Sequence, residues 1–237
     1  MGEDRAATDE ERSARDYDRW FDEPWGRYAS SVETEAIHEA LPLRCHRILD
    51  AGCGTGRFSA ALSDAGRIVV GVDKDPGMLT IASTRLLGGC VRSRLEALPF
   101  ADHSFDVTIA VTVLEFVSDP SAVIAELARV TRPGGRIIIG ALNPRSPWGL
   151  ANRRRLRSGI WCRARFLTRR ELELLAAPHG RAAIRSHLYA PAGFPGLSRI
   201  GPLLETMGRL APTWGAFTAL AVDRSDHATP NGVPSRT

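Results

Sequence analysis

From residue 47 onward, short apolar runs alternate with amphipathic stretches. The runs at 47–51, 68–72, 106–111 and 136–141 are rich in Ile, Val and Leu. Their near-continuous apolar character predicts strands covered on both faces. The intervening segments 56–65, 76–87 and 120–131 predict helices. Asp75-Pro76 places an N-cap before a proline at the first helical position, and Pro133-Gly134-Gly135 ends a helix and turns the chain. Strand alternating with helix implies a parallel sheet between two helical layers. Further on, Thr168 to Ala177 predicts a helix capped by Thr168, Ala183 to Tyr189 a strand, and Trp214 to Val222 a final apolar strand. Ahead of the first strand, residues 16–41 are first aromatic (Tyr17, Trp20, Phe21, Trp25, Tyr28) and then near helical spacing (Val32, Ala36, Ile37, Ala40).

The 237 residues suffice for one sizeable core. Residues 1–15 are charged and alanine-rich, and 223–237 are polar with Pro230, Gly232 and Pro234. Both ends are expected to be disordered, leaving a single domain over 16–222. No apolar run approaches the roughly 20 residues that span a bilayer. Charge rather than an apolar region follows Met1, so the expectation is a cytoplasmic protein without a transmembrane segment. Cys45, Cys53, Cys90 and Cys162 form no C-x-x-C pair, so neither a metal site nor a disulfide framework is expected.

The chemistry concentrates at Arg47-Ile48-Leu49-Asp50-Ala51-Gly52-Cys53-Gly54-Thr55-Gly56-Arg57, a strand running through a glycine turn into a helix. Glycine tolerates the positive φ such a turn demands and lets a ligand approach the main chain. The helix that follows points free N–H groups at that ligand. Arg57 stands where a G-x-G-x-x-G fingerprint needs its third glycine, and no G-K-[ST] follows, so neither common phosphate-binding signature fits. Asp73 closes the next strand about 20 residues on, the distance at which α/β nucleotide folds place a ribose-binding acid. Together these features predict an adenosine-type cofactor.

Four segments in register resemble the class I S-adenosylmethionine (SAM) dependent methyltransferases, in particular the small-molecule group that includes ubiquinone-type enzymes. They are Leu49 to Gly56, Gly71 to Asp73, Glu96-Ala97-Leu98-Pro99-Phe100-Ala101-Asp102 leading into Ser104 to Val107, and Leu127 to Gly135 leading into Arg136 to Ile139. The resemblance implies an α/β fold with a doubly wound, seven-stranded, mostly parallel sheet whose last strand is antiparallel. It also implies a lid over 16–44 and substrate-side insertions at 142–167 and 190–213. SAM is the implied cofactor. Gly52, Cys53, Gly54 and Gly56 would form its turn, and Asp50 would approach its ammonium group. Asp73, with Lys74 beside it, would hold the ribose. Met78, Leu95 and Glu96 would surround the adenine, with Val111 as wall. The family usually carries Asp where this chain has Arg94; Arg offers donors only and cannot accept from the adenine amino group.

Methyl transfer would occur beyond the strand ending at Val111, where Thr112-Val113-Leu114-Glu115-Phe116 follows. No N-P-P-Y motif stands there, which argues against methylation of DNA bases or protein amides. Glu115 is the nearest candidate base; His38 and Tyr28 are candidates from the N-terminal segment, with Tyr17 as a further hydrogen-bonding group. Between Arg145 and Arg170 lie nine arginines and no acid, including Arg153-Arg154-Arg155-Leu156-Arg157. The expected activity is SAM-dependent methylation of a small apolar or aromatic metabolite at O, C or N, by a monomer or homodimer. The alternatives are an RNA methyltransferase using the arginine run and a SAM-binding protein without turnover. A small-molecule acceptor is favoured over nucleic acid.

Overall fold

The computed structural model describes residues 8–63, 66–152, 162–191 and 197–225. Seven strands, β1 (Arg47–Ala51), β2 (Ile68–Asp73), β3 (Cys90–Arg92), β4 (Phe105–Val111), β5 (Thr131–Leu142), β6 (Gly180–His187) and β7 (Phe217–Arg224), form one sheet in the order β3-β2-β1-β4-β5-β7-β6. The β1–β2, β1–β4, β2–β3 and β4–β5 pairs are parallel, while β7 runs antiparallel to both β5 and β6. The architecture is the one the family resemblance implies. β3 escapes the apolar pattern because it has three residues and none is fully buried.

Successive strand residues feed opposite layers. Leu49, Ala110, Ile137 and Ile139 join a cluster with Val123, Ile124 and Leu127 of α5 (Pro120–Val130) and Leu172 and Ala176 of α7 (Arg169–Ala176). Their neighbours Ile48, Ile109 and Ile138 join the opposite cluster, with Ala29, Ala36 and Ile37 of α2 (Pro24–Ala40) and Leu62 of α3 (Arg57–Leu62). This two-sided burial explains why the strands are apolar throughout rather than alternating.

Both tail boundaries differ from expectation. Residues 9–15, expected in a disordered tail, belong to α1 (Asp9–Trp20). A capping box starts that helix: the Glu11 N–H donates to the Thr8 hydroxyl at 3.2 Å, and the Thr8 N–H to the Glu11 carboxylate at 3.1 Å. Ala14 is buried beneath it. Asp223 and Arg224, expected in the other tail, complete β7, where Asp223 pairs with Arg136 in register and by a 2.6 Å ion pair. The expected insertions each carry a helix, α6 (Pro147–Ala151) and α8 (Leu197–Gly208). The remaining helix, α4 (Pro76–Ala82), is capped by Asp75, whose carboxylate accepts from the N–H groups of Gly77 and Met78. Arg153 to Arg157, and residues 1–7 and 226–237 of the expected tails, lie outside the described residues.

Candidate active site

The glycine turn leaves β1 at the carboxyl edge of the sheet. Gly52, Gly54 and Gly56 have φ of +82°, +52° and +78°, the left-handed region that favours glycine. The first and third also meet close neighbours: a side chain at Gly52 would strike Val113 at 2.3 Å, and one at Gly56 would press on Ala82 at 3.2 Å. Among the described residues, only the Tyr17 ring lies within reach of a side chain at Gly54, at 3.8 Å. The middle glycine therefore opens the main chain to a space roofed by Tyr17.

Acids surround that space. Asp73 accepts the Gly54 N–H at 2.9 Å on one carboxylate oxygen and the Asp75 N–H at 3.0 Å on the other. Asp50 is buried; Ser59 donates its hydroxyl to one oxygen, and the other, Oδ1, is buried without a partner. Burial, reinforced by the nearby charge of Asp73 and opposed by the Ser59 hydrogen bond, raises its pKa to about 7. Burial also raises the Tyr17 pKa, aided by the fields of Glu33, Asp73, Asp18 and Asp50, so this phenol stays protonated.

A second pair of acids sits beyond the tips of β4 and β5. Thr112, at the end of β4, has φ of +48°, unfavourable for a β-branched residue and of the kind of strain that clusters at functional sites. The chain then forms a 3₁₀ turn over Leu114–Phe116 that buries Glu115. One Glu115 oxygen accepts the Leu142 N–H at 2.9 Å, while the other is buried and unpartnered. Burial raises its pKa to about 7 against the backbone hydrogen bonds. Glu33, absent from the sequence-based candidates, lies on the buried face of α2 with Ala29 and Ile37. Its pKa rises to about 8 through burial and the charge of Glu115. The Ala29–Glu33–Ile37 spacing of four is the signal that could have found it: an acid in the middle of an apolar stripe.

α1 is fastened over the crevice by Asp18. Its carboxylate accepts from the Thr55 hydroxyl at 2.6 Å, from Arg57 at 2.9 and 3.0 Å, and from Arg85 at 2.7 and 2.8 Å. Burial works against ionisation here, but the Arg85, Arg57 and Thr55 hydrogen bonds outweigh it and hold the carboxyl well below the usual range. Beside this anchor, α1 packs so closely on α4 that a side chain at Gly77 would meet the Glu10 backbone at 2.7 Å.

The other expected site residues separate into two groups. Buried Val111 ends β4 beside the turn, and Leu95, Glu96 and Met78 lie near the ends of β3 and β2. Arg94 is exposed and pairs with Glu96 at 3.5 Å. The Cys53 side chain turns away from the crevice and packs with Ala82 and Leu86, its thiol pKa raised chiefly by burial. Lys74 is exposed. His38 lies 3.2 Å from the Ala61 carbonyl and lines a cavity of about 680 Å3 between α2 and α3. Tyr28 donates to Glu205 at 2.9 Å and lines a cavity of about 820 Å3 between α2, α8 and the end of β6. Glu115 thus lies two residues from Val113, which packs on Gly52 of the turn, whereas His38 and Tyr28 lie on other faces of α2. Among the described residues no cluster has the makings of a metal site, and no helix is long and apolar enough to cross a membrane.

A family model described as a methyltransferase domain matches residues 49–139, the stretch from the glycine turn to β5. An uncharacterized protein of Methanocaldococcus jannaschii is 36% identical over 163 residues, covering 68% of this chain and 75% of that one. The solved structure of a Thermotoga maritima SAM-dependent methyltransferase, titled a possible histamine N-methyltransferase, superposes with a TM-score of 0.73 at 26% identity, covering 90% of this chain and 96% of that one. The chain belongs to the class I SAM-dependent methyltransferases. An uncharacterized protein of Mycobacterium tuberculosis is 34% identical over 193 residues, 79% of this chain. The match takes in 65% of that relative's length. The family model spans 49–139, and the residues lining the 820 Å3 cavity lie outside it, on α2 ahead of the matched stretch and around the end of β6 and α8 beyond it.

Proposed function

We infer that the protein transfers the methyl group of SAM to a small metabolite, at O, C or N. The observation that carries this reading is the crevice at Gly54, where an open main chain, Asp73 and the unpartnered Oδ1 of Asp50 converge. These residues fit the cofactor. A buried carboxylate oxygen lacking a donor suits an ammonium group, and Asp73 retains lone pairs for a ribose hydroxyl after accepting two N–H groups. The Gly54 position leaves room for a ligand against the backbone. Met78, Leu95 and Glu96 would line the adenine end, and Val111 the methyl end. When bound, SAM supplies a methyl group on a leaving group already activated as a sulfonium. The tasks left to this chain are in-line positioning and exclusion of water. Tyr17 and α1 serve the second task by roofing the crevice.

A small acceptor is supported by that roof: the Tyr17 ring lies 3.8 Å from a side chain placed at Gly54, and Asp18 fastens α1 to Thr55 and Arg57 of the turn. The assignment is tested by titrating the full chain with SAM and, separately, with NAD in a calorimeter. The expected result is saturable SAM binding without NAD binding; NAD binding without SAM binding overturns it. Incubation with methyl-labelled SAM and a metabolite extract, followed by mass spectrometry for the gain of one CH2, would then identify the acceptor.

A further inference from the structure

We propose that the methyl acceptor is an amine that enters as an ammonium ion and is received between the carboxylates of Glu33 and Glu115. This rests on the reading of the chain as a methyltransferase and narrows it to nitrogen.

The geometry supports it in three ways. First, the elements that carry the acids pack together. The apolar face of α2 that carries Glu33 packs, through Ala29, Ala36 and Ile37, in the same cluster as Val111 and Leu142, the last residues of β4 and β5. Glu115 holds the Leu142 N–H at that edge, and Val113, two residues before it, lies against Gly52 of the cofactor turn. Second, the acids lack partners. Among the described residues neither carboxylate has an ion pair, and Glu33 makes no side-chain hydrogen bond. Both are buried, at 7% and 1% exposure, and one Glu115 oxygen is unsatisfied. Two buried acids within reach of each other's charge are unfavourable unless a proton or a cation relieves them. Third, the four acids, if all ionised, would outweigh the cofactor, so without a further cation burial keeps them partly protonated. SAM carries a net charge of +1, whereas Asp50, Asp73, Glu33 and Glu115 can together contribute −4; Asp18 is excluded because Arg57 and Arg85 neutralise it. A positively charged acceptor reduces that excess.

The same pair completes the reaction. The ammonium ion gives one proton to the Glu33 carboxylate and becomes a neutral amine. Its lone pair forms the N–CH3 bond as the C–S bond breaks, and the electron pair of that bond stays on sulfur, leaving a neutral thioether. The product is a methylated ammonium ion, and protonated Glu33 returns its proton to solvent. A carboxyl held near neutral pH suits such proton exchange better than one at its ordinary value.

A structural role competes with this: the two acids could share one proton as a latch between α2 and the strand tips. The separating experiment uses the full chain saturated with S-adenosylhomocysteine. Primary and secondary amines of graded size, and alcohols of the same carbon skeletons, are titrated in two buffers of different ionisation enthalpy at pH 7. The expected result is that at least one amine binds tenfold or more tighter than its alcohol, with proton release of up to one per site. Glu33→Gln should weaken that amine at least tenfold and abolish the release, with SAM affinity within twofold of the unsubstituted chain. Glu115→Gln, which keeps a carbonyl for the Leu142 N–H, should weaken it too. Equal binding of amine and alcohol, no binding by any amine, or undiminished binding in both folded variants overturns the proposal. Loss of SAM binding by the unsubstituted chain would instead sink the underlying methyltransferase reading.

Discussion

Asp73 accepts the main-chain N–H of Gly54 at 2.9 Å, so the acid that ends β2 is fastened to the open glycine of the turn after β1. One carboxylate thereby fixes the spacing between the two elements that would hold the ribose and the methionine part of the cofactor.

Replacing Asp73 with Ala should raise the SAM dissociation constant roughly tenfold to a hundredfold, because a lost hydrogen bond to a charged group costs about 1.5–3 kcal/mol. Calorimetric titration measures this. Unchanged affinity would remove Asp73 from the site.

The turn glycines should divide by function. Gly52→Ala must displace the Val113 side chain, 2.3 Å from the new carbon, and should lower the melting temperature by several degrees. Among the described residues Gly54→Ala meets nothing closer than 3.8 Å, so its stability cost is the left-handed backbone penalty of about 1–2 kcal/mol, while SAM binding should fall sharply. Equal losses of stability and binding in the two variants would refute the division.

Asp18→Asn should release α1. The substitution removes the charge that joins Thr55, Arg57 and Arg85 to the helix, and hydrogen exchange over Asp9–Trp20 should accelerate while the β4 and β5 amides stay protected. The native ion pairs should also be acid-sensitive. Because the folded-state pKa is depressed, their contribution is complete above the ordinary aspartate value, near 4, and declines as pH falls through the lower folded value.

Glu33 predicts the opposite pH dependence. Its folded pKa of about 8, raised by burial and Glu115, means the folded state retains a proton that the unfolded chain releases above roughly pH 4. Its stability contribution is therefore complete below that value and lost as pH rises through about 8. Glu33→Gln should raise the melting temperature at pH 8, by roughly 1–2 kcal/mol of stability, and the advantage should shrink at pH 5. A pH-independent difference would mean that Glu33 is ionised throughout.

Local pattern made much of this molecule legible. Both layers of the core touch each inner strand, so Ile48-Leu49 and Ile137-Ile138-Ile139 had to be apolar, and the glycine turn had to contain residues that tolerate positive φ. What stayed hidden depends on contacts distant in sequence. Asp18 meets partners 37 to 67 residues away, and nothing in its neighbourhood marks it as more than a helix-surface acid. Thr8 and Glu11 do form a capping-box pair that marks the start of α1, although the surrounding charge suggests a tail. Glu33 stands out only when α2 is drawn as a wheel, and Glu115 is recognisable as buried only once the 3₁₀ turn after β4 is known.

β6 has one neighbour in the sheet, β7, which is wedged between it and β5. Until the segment Phe217–Arg224 arrives, β6 has no rung to climb onto, and the outer flank of β5, with Ile138 and Gly140 along it, stands bare. This half of the sheet can knit together only after its latest-made strand slips into the gap. The edge that ends at His187 therefore owes its place in the sheet to β7 alone.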